Sequence, residues 1–71
     1  MYLHIGGDYV IRAEAIIAII DIKGQLPSPR TGRLITIDEN DHKSYVITDS
    51  VDYISPISSV TLKKRMEASF S

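Results

Sequence analysis

The chain has no cysteine in 71 residues. That excludes disulfides, thiolate metal sites and a cysteine nucleophile, and it fits a reducing compartment. Long apolar runs are also missing. The longest, Ala15 to Ile20, falls far short of the roughly 20 residues that span a bilayer. The amino terminus, Met1-Tyr2-Leu3-His4, carries no basic stretch ahead of an apolar one, so no secretory signal is expected and the chain is expected to be cytoplasmic. Neither charge dominates: 8 Lys and Arg face 9 Asp and Glu, for a net charge of −1. Taken alone, that argues against a general coat for nucleic acid. Catalytic signatures are absent as well. There is no GxSxG elbow and no Walker motif, and Gly6-Gly7 lacks the rest of any phosphate-binding glycine pattern. Ser55, Ser58 and Ser59 suit turn and capping roles. A chain this short has little room for a water-excluding pocket. The expectation is a protein that is not an enzyme, with no cofactor, no small-molecule substrate and no membrane partner.

What is present is a globular composition, 44% hydrophobic and 24% charged, in which isoleucine is heavily used. Branched side chains of this kind favour strands. A single domain covering 1–71 is expected, and a domain of that size buries only about 60% of its unfolded surface. Apolar burial then barely offsets the roughly 1.5 kcal/mol that ordering each residue costs. With disulfides and thiolate metals excluded, self-association is the remaining support. Ile16, Ile17, Ile19, Ile20, Ile22, Val46 and Ile54 exceed what one thin layer covers on a single side, which points the same way. A strand-edge contact repeated head to tail closes into a ring when the rotation per step divides a full turn.

Tyr2 to Ile5 reads as a strand, Gly6-Gly7-Asp8 as a hairpin turn and Tyr9 to Arg12 as the returning strand. Ala13-Glu14-Ala15 can form one helical turn. Ile16 to Ile22 reads as a buried strand that stops at Gly24. Lys23 to Gly32 holds Gly24, Pro27, Pro29 and Gly32 and is a loop. Arg33 to Ile37 alternates as a strand, Asp38 to His42 is a polar turn, and Lys43 to Thr48 is expected to return as its hairpin partner. Asp49-Ser50 makes another turn before a strand from Val51 to Ile54. Ser55-Pro56 breaks that strand. Ser58 or Ser59 is placed to cap a helix from about Ser59 to Phe70, whose buried stripe is Leu62, Met66 and Phe70. Strands first and one helix last predict an α+β domain: a small, mainly antiparallel sheet of five or six short strands with one C-terminal helix.

Two basic clusters stand out. Lys63-Lys64-Arg65 near the helix start offers phosphate contacts, but neighbours on a helix fan out by about 100° each. A charge run of this kind is more often a solvated face. Arg30 and Arg33 flank Thr31-Gly32, and a guanidinium pairs with phosphate through two parallel hydrogen bonds. The alternative for that loop is an exposed segment with no partner. His4 and His42, with Asp8, Asp38 or Asp41, supply metal-ligand types, but no HxH or HxxxH spacing. His4 is expected to pack on a strand and His42 to sit in an exposed turn. Asp38-Glu39-Asn40-Asp41 does not match a calcium loop, so no metal is expected.

Three stretches carry a resemblance. They are Leu3-His4-Ile5-Gly6-Gly7-Asp8-Tyr9-Val10-Ile11, then Ile16-Ile17-Ala18-Ile19-Ile20-Asp21, then Tyr45-Val46-Ile47-Thr48-Asp49 running into Tyr53-Ile54-Ser55-Pro56-Ile57-Ser58-Ser59-Val60-Thr61-Leu62-Lys63-Lys64-Arg65. Together they resemble the RemA/RemB family of extracellular matrix regulatory proteins, and the RemB-type members more than RemA itself. The resemblance implies a bacterial cytoplasmic protein that controls transcription of matrix and biofilm genes. It also implies ring-shaped homo-oligomers that wrap double-stranded DNA. On that footing the nucleic-acid-binding set is Arg30, Arg33, Lys43, Lys63, Lys64 and Arg65. One departure stands out: where RemA-like members carry an arginine-rich turn, this chain has Asn40-Asp41-His42 beside Asp38 and Glu39. Carboxylates there repel phosphate. The competing expectation is a homo-oligomeric scaffold that acts through protein partners without touching DNA.

Overall fold

A computed structural model describes residues 1–24 and 32–70. Among these residues six strands and one helix follow in order: β1 (Tyr2–Gly6), β2 (Tyr9–Arg12), β3 (Ile16–Asp21), β4 (Leu34–Thr36), β5 (Ser44–Thr48), β6 (Asp52–Ser55) and α1 (Ser59–Phe70). A 3-10 turn at Ala13–Ala15 joins β2 to β3, where one helical turn was expected. The α+β class and the C-terminal helix stand as the sequence indicates.

The strands form two sheets. β1 and β2 pair antiparallel as a separate hairpin, and the other four are ordered β3-β5-β6-β4. The expected hairpin between Arg33–Ile37 and Lys43–Thr48 does not form. β4 pairs with β6 in parallel instead, Leu34 opposite Asp52 and Thr36 opposite Ile54. β5 lies between β3 and β6 and is antiparallel to both. Burial supplies the reason: every residue of β5 is buried, so it needs a neighbour on each side and a cover on each face. The three residues of β4 serve at an edge.

Alternation along the strands builds two apolar clusters, one per face. Leu3, Ile5, Ile19, Val46 and Leu62 form the first, with Ile11, Ile16, Ile37, Tyr53, Ile57 and Met66 packed around it. The hairpin and α1 therefore share one face of the four-stranded sheet. Tyr45, Ile47 and Ile54 form the second cluster, bordered by Ala18 and Ile22. In the expected helix stripe, Leu62 is buried and Met66 half-buried, while the Phe70 side chain lies outside the described residues. Ser58 is the helix cap: its hydroxyl accepts from the Thr61 N–H at 3.2 Å. Ser59 instead donates to Asp21 Oδ1 at 3.2 Å, which ties the helix start to the end of β3.

The hairpin is clasped to the larger sheet by one hydroxyl. Buried Ser55 Oγ donates to the Ile5 carbonyl at 2.6 Å and accepts from Ile57 N–H at 3.0 Å. Ser55→Ala leaves a carbonyl and an amide short of a partner in an interior where water does not replace the hydroxyl. The expected loss is about 1–3 kcal/mol of unfolding free energy, read as a lower urea midpoint at unchanged slope. A loss under about 0.5 kcal/mol would mean that the clasp is not made.

Candidate nucleic-acid interface

Register fixes where the basic residues leave the sheet. Lys43 sits just before β5; its N–H donates to the Ser55 carbonyl at 2.9 Å, and its own carbonyl accepts from Ile22 N–H at 3.1 Å. It therefore marks the end of the sheet where β3 and β6 finish and α1 begins. Lys23 leaves the same end. Arg33 marks the other end, with its carbonyl accepting from Asp52 N–H at 3.0 Å. The pairings place Arg33 level with Val51 and Lys43 level with Pro56. Those levels are five strand residues apart, roughly 16 Å. Arg33 and Lys43 thus serve opposite ends of the sheet. Arg30 lies outside the described residues.

The helix splits its three cations. Lys63 and Lys64 are exposed. Arg65 turns back onto the hairpin, where its guanidinium donates to the His4 carbonyl at 3.2 Å. The ion pairs among the described residues involve the terminal ammonium, Arg12 and Glu14, so Lys23, Lys43, Lys63 and Lys64 make none there. Glu14 is held below the ordinary carboxylate range, first by a backbone hydrogen bond and then by the terminal ammonium 3.1 Å away.

The acidic residues divide in a way that composition does not reveal. Asp38, Glu39 and Asp41 stay on the turn before Lys43, where the Asp38 carboxylate accepts from Asn40 N–H at 2.9 Å. Asp52 is withdrawn completely: it is 0% exposed, and the Tyr45 hydroxyl donates to its Oδ2 at 2.6 Å. The formal charge counts Asp52 with the other acids. A sign of its burial is its place two residues from Ile54 on a short strand, hence on the same face. The protein surface is thus less acidic than the formal charge suggests.

The two histidines have separate duties. His4 Nε2 donates to the Gly7 carbonyl at 2.8 Å and braces the hairpin turn. His42 is half-buried rather than exposed, and its Nε2 has no hydrogen-bond partner among the described residues. Among those residues no group of three or more His, Asp or Glu is placed to hold a metal ion. No described helix is long and apolar enough to cross a membrane.

A second feature lies on the hairpin. Its outward face pairs Tyr2 with Arg12 and His4 with Val10, all four exposed. Tyr9 meets the Tyr53 ring edge-on, with centroids 5.9 Å apart. That contact docks the hairpin against β6 and adds to its burial.

Comparison with known proteins gives this arrangement a context. The family model described as extracellular matrix regulatory protein A-like, RemA-like for short, matches residues 2–66. Extracellular matrix regulatory protein B of Bacillus subtilis (strain 168) is 35% identical over 78 residues, which cover 99% of this chain and 95% of that protein. No solved structure matches. The match takes in both sheets and most of the helix, and by it the chain belongs to the RemA-like family of extracellular matrix regulatory proteins, on its RemB side.

Proposed function

We propose that this chain is a non-enzymatic bacterial regulator of extracellular matrix genes that acts in the cytoplasm, assembles with copies of itself and binds double-stranded DNA through the phosphate backbone. Lys43, Lys63 and Lys64 supply the primary contacts, with Arg30, Arg33 and Arg65 as the further members of the set. The observation that supports this most is the state of the three lysines. They are exposed and make no ion pair among the described residues, while the carboxylate of Asp52 is buried against Tyr45. A few cations on one copy bind weakly. Repetition around a ring multiplies them, and each neutralised phosphate releases counterions. Such a surface reads backbone shape and deformability rather than base edges.

An electrophoretic shift titration at two salt concentrations tests this. Binding should weaken steeply as salt rises, with a log–log slope of about −0.9 per phosphate contact. The Lys43→Glu/Lys63→Glu/Lys64→Glu variant should bind at least about tenfold more weakly and show a shallower slope. No shift from an intact assembly, even at low salt, would remove DNA from the reading. What then stands is a homo-oligomeric scaffold for protein partners. The acidic turn of Asp38, Glu39 and Asp41 beside Lys43 favours that alternative.

A further inference from the structure

The strand order β3-β5-β6-β4 leaves two outer edges without a strand partner among the described residues, that of β3 and that of β4. Natural sheets defend such edges with lysine, proline, bulges or brevity. β4 is defended by its length of three residues. β3 has six residues with no lysine, proline or glycine among them, and its bulge lies only at the start, between Ile16 and Ala18. Ile17 is 62% exposed and Ile20 45% exposed on β3, and Leu34 is 38% exposed on β4.

We infer that the β3 edge is the docking site for the β4 edge of a second copy of this chain. The inference rests on the self-assembly reading above and names the surface that carries it. Direction comes first. β3 is antiparallel to β5, β5 is antiparallel to β6, and β6 is parallel to β4. The two edge strands therefore run the same way. A copy shifted sideways across the strands lays its β4 beside β3 in parallel, with the faces of both sheets continuous. That contact is heterologous, so it can repeat from copy to copy.

Charge selects the register. Ile20 pairs with Tyr45, Tyr45 with Ile54 and Ile54 with Thr36, which puts Ile20 and Thr36 at one level. Three residues beyond Ile20 stands Lys23, and three beyond Thr36 stands Glu39. Both segments leave the sheet at the same end, so unshifted pairing brings Lys23 of one copy toward the Asp38–Glu39 turn of the next. Lys23 makes no ion pair among the described residues. At the other end Ile17 and Ala18 meet the level of Leu34, apolar against apolar. An antiparallel β3-to-β3 dimer would instead face Lys23 with Glu14, which the terminal ammonium already engages.

The test is the mass of the full chain in solution by light scattering across a concentration series. Ile17→Lys/Ile20→Lys places two ammonium groups on an exposed edge and should reduce the assembly to single subunits with an unchanged circular dichroism spectrum. Lys23→Glu, and separately Glu39→Lys, should each raise the dissociation concentration by about tenfold. Lys23→Glu/Glu39→Lys should recover most of the loss, because the pair is restored with its signs exchanged. If all these variants keep the wild-type mass, the edge assignment is wrong and self-assembly uses another surface. A dimer that ignores changes in β3 but responds to β4 would point to β4 against β4, and also overturns the assignment. A wild-type chain that stays single at every concentration removes the self-assembly reading itself.

Discussion

Leu62→Ala should cost about 3–5 kcal/mol and leave the chain largely unfolded at low protein concentration. Leu62 is 0% exposed and meets Leu3, Ile5, Ile19 and Val46 in the cluster under the helix. It is the sole fully buried apolar side chain that the described part of α1 contributes. Truncation removes its transfer free energy and leaves a cavity that the hairpin and sheet fill only in part. The helix has 12 residues, a length that is marginal in isolation, so its order depends on this contact. Typical stabilities of about 0.05–0.15 kcal/mol per residue give this chain only about 4–11 kcal/mol in all. The measurement is a urea titration followed by circular dichroism at fixed protein concentration, since self-association adds to apparent stability. A loss under about 1 kcal/mol would show that α1 is held by something other than Leu62.

Gly6→Ala is expected to be nearly as severe, by a different mechanism. Gly6 ends β1 at a φ of +121°, a region that residues with a side chain rarely enter. A Cβ there would sit 2.8 Å from Pro56 Cδ and 3.0 Å from Pro56 Cγ. Both partners are constrained, the proline by its ring and the hairpin by the Ser55 clasp to Ile5. Backbone strain of about 1–3 kcal/mol and overpacking of about 1–3 kcal/mol combine to an expected loss of about 2–6 kcal/mol. Gly24→Ala is the internal comparison. Its φ is +90° and nothing among the described residues lies within 4 Å of the added carbon, so it should show the strain alone. Equal losses in the two variants would mean that the approach of Gly6 to Pro56 is not tight.

Local signals carried the sequence reading wherever the structure is itself local. Gly6-Gly7 announced the first hairpin, and the serines after Pro56 announced the helix start. The isoleucine run announced β3, but as an edge strand with only Ile19 buried, not as the buried strand expected. The partner of β4 was not legible. Arg33–Ile37, a polar turn and Lys43–Thr48 look like a hairpin when only neighbours are weighed. What decides otherwise is the full burial of β5, which requires β3 and β6 beside it, and that demand is non-local. The same limit applies to the candidate interface. Helical spacing correctly left Lys63 and Lys64 exposed, but the turn of Arg65 onto the His4 carbonyl depends on how the helix crosses the hairpin. The burial of Asp52 has a related cause. Its environment is made by Tyr45, seven residues away on the neighbouring strand, and composition does not see a cross-strand hydroxyl.

The order of pairing along the chain bears on how the molecule comes into being. β1 and β2 meet across a two-residue turn, but β3 waits for β5, more than twenty residues later. The space under the hairpin closes only when Leu62 arrives. An emerging chain can therefore close its hairpin early, while Leu3, Ile5 and Ile19 stay wet until nearly all of it has left the ribosome. Contacts of such long sequence separation slow folding relative to local ones. During that interval the unprotected isoleucines of β3 are open to any neighbouring chain, so nascent copies crowded on one message face a competition between folding and premature pairing.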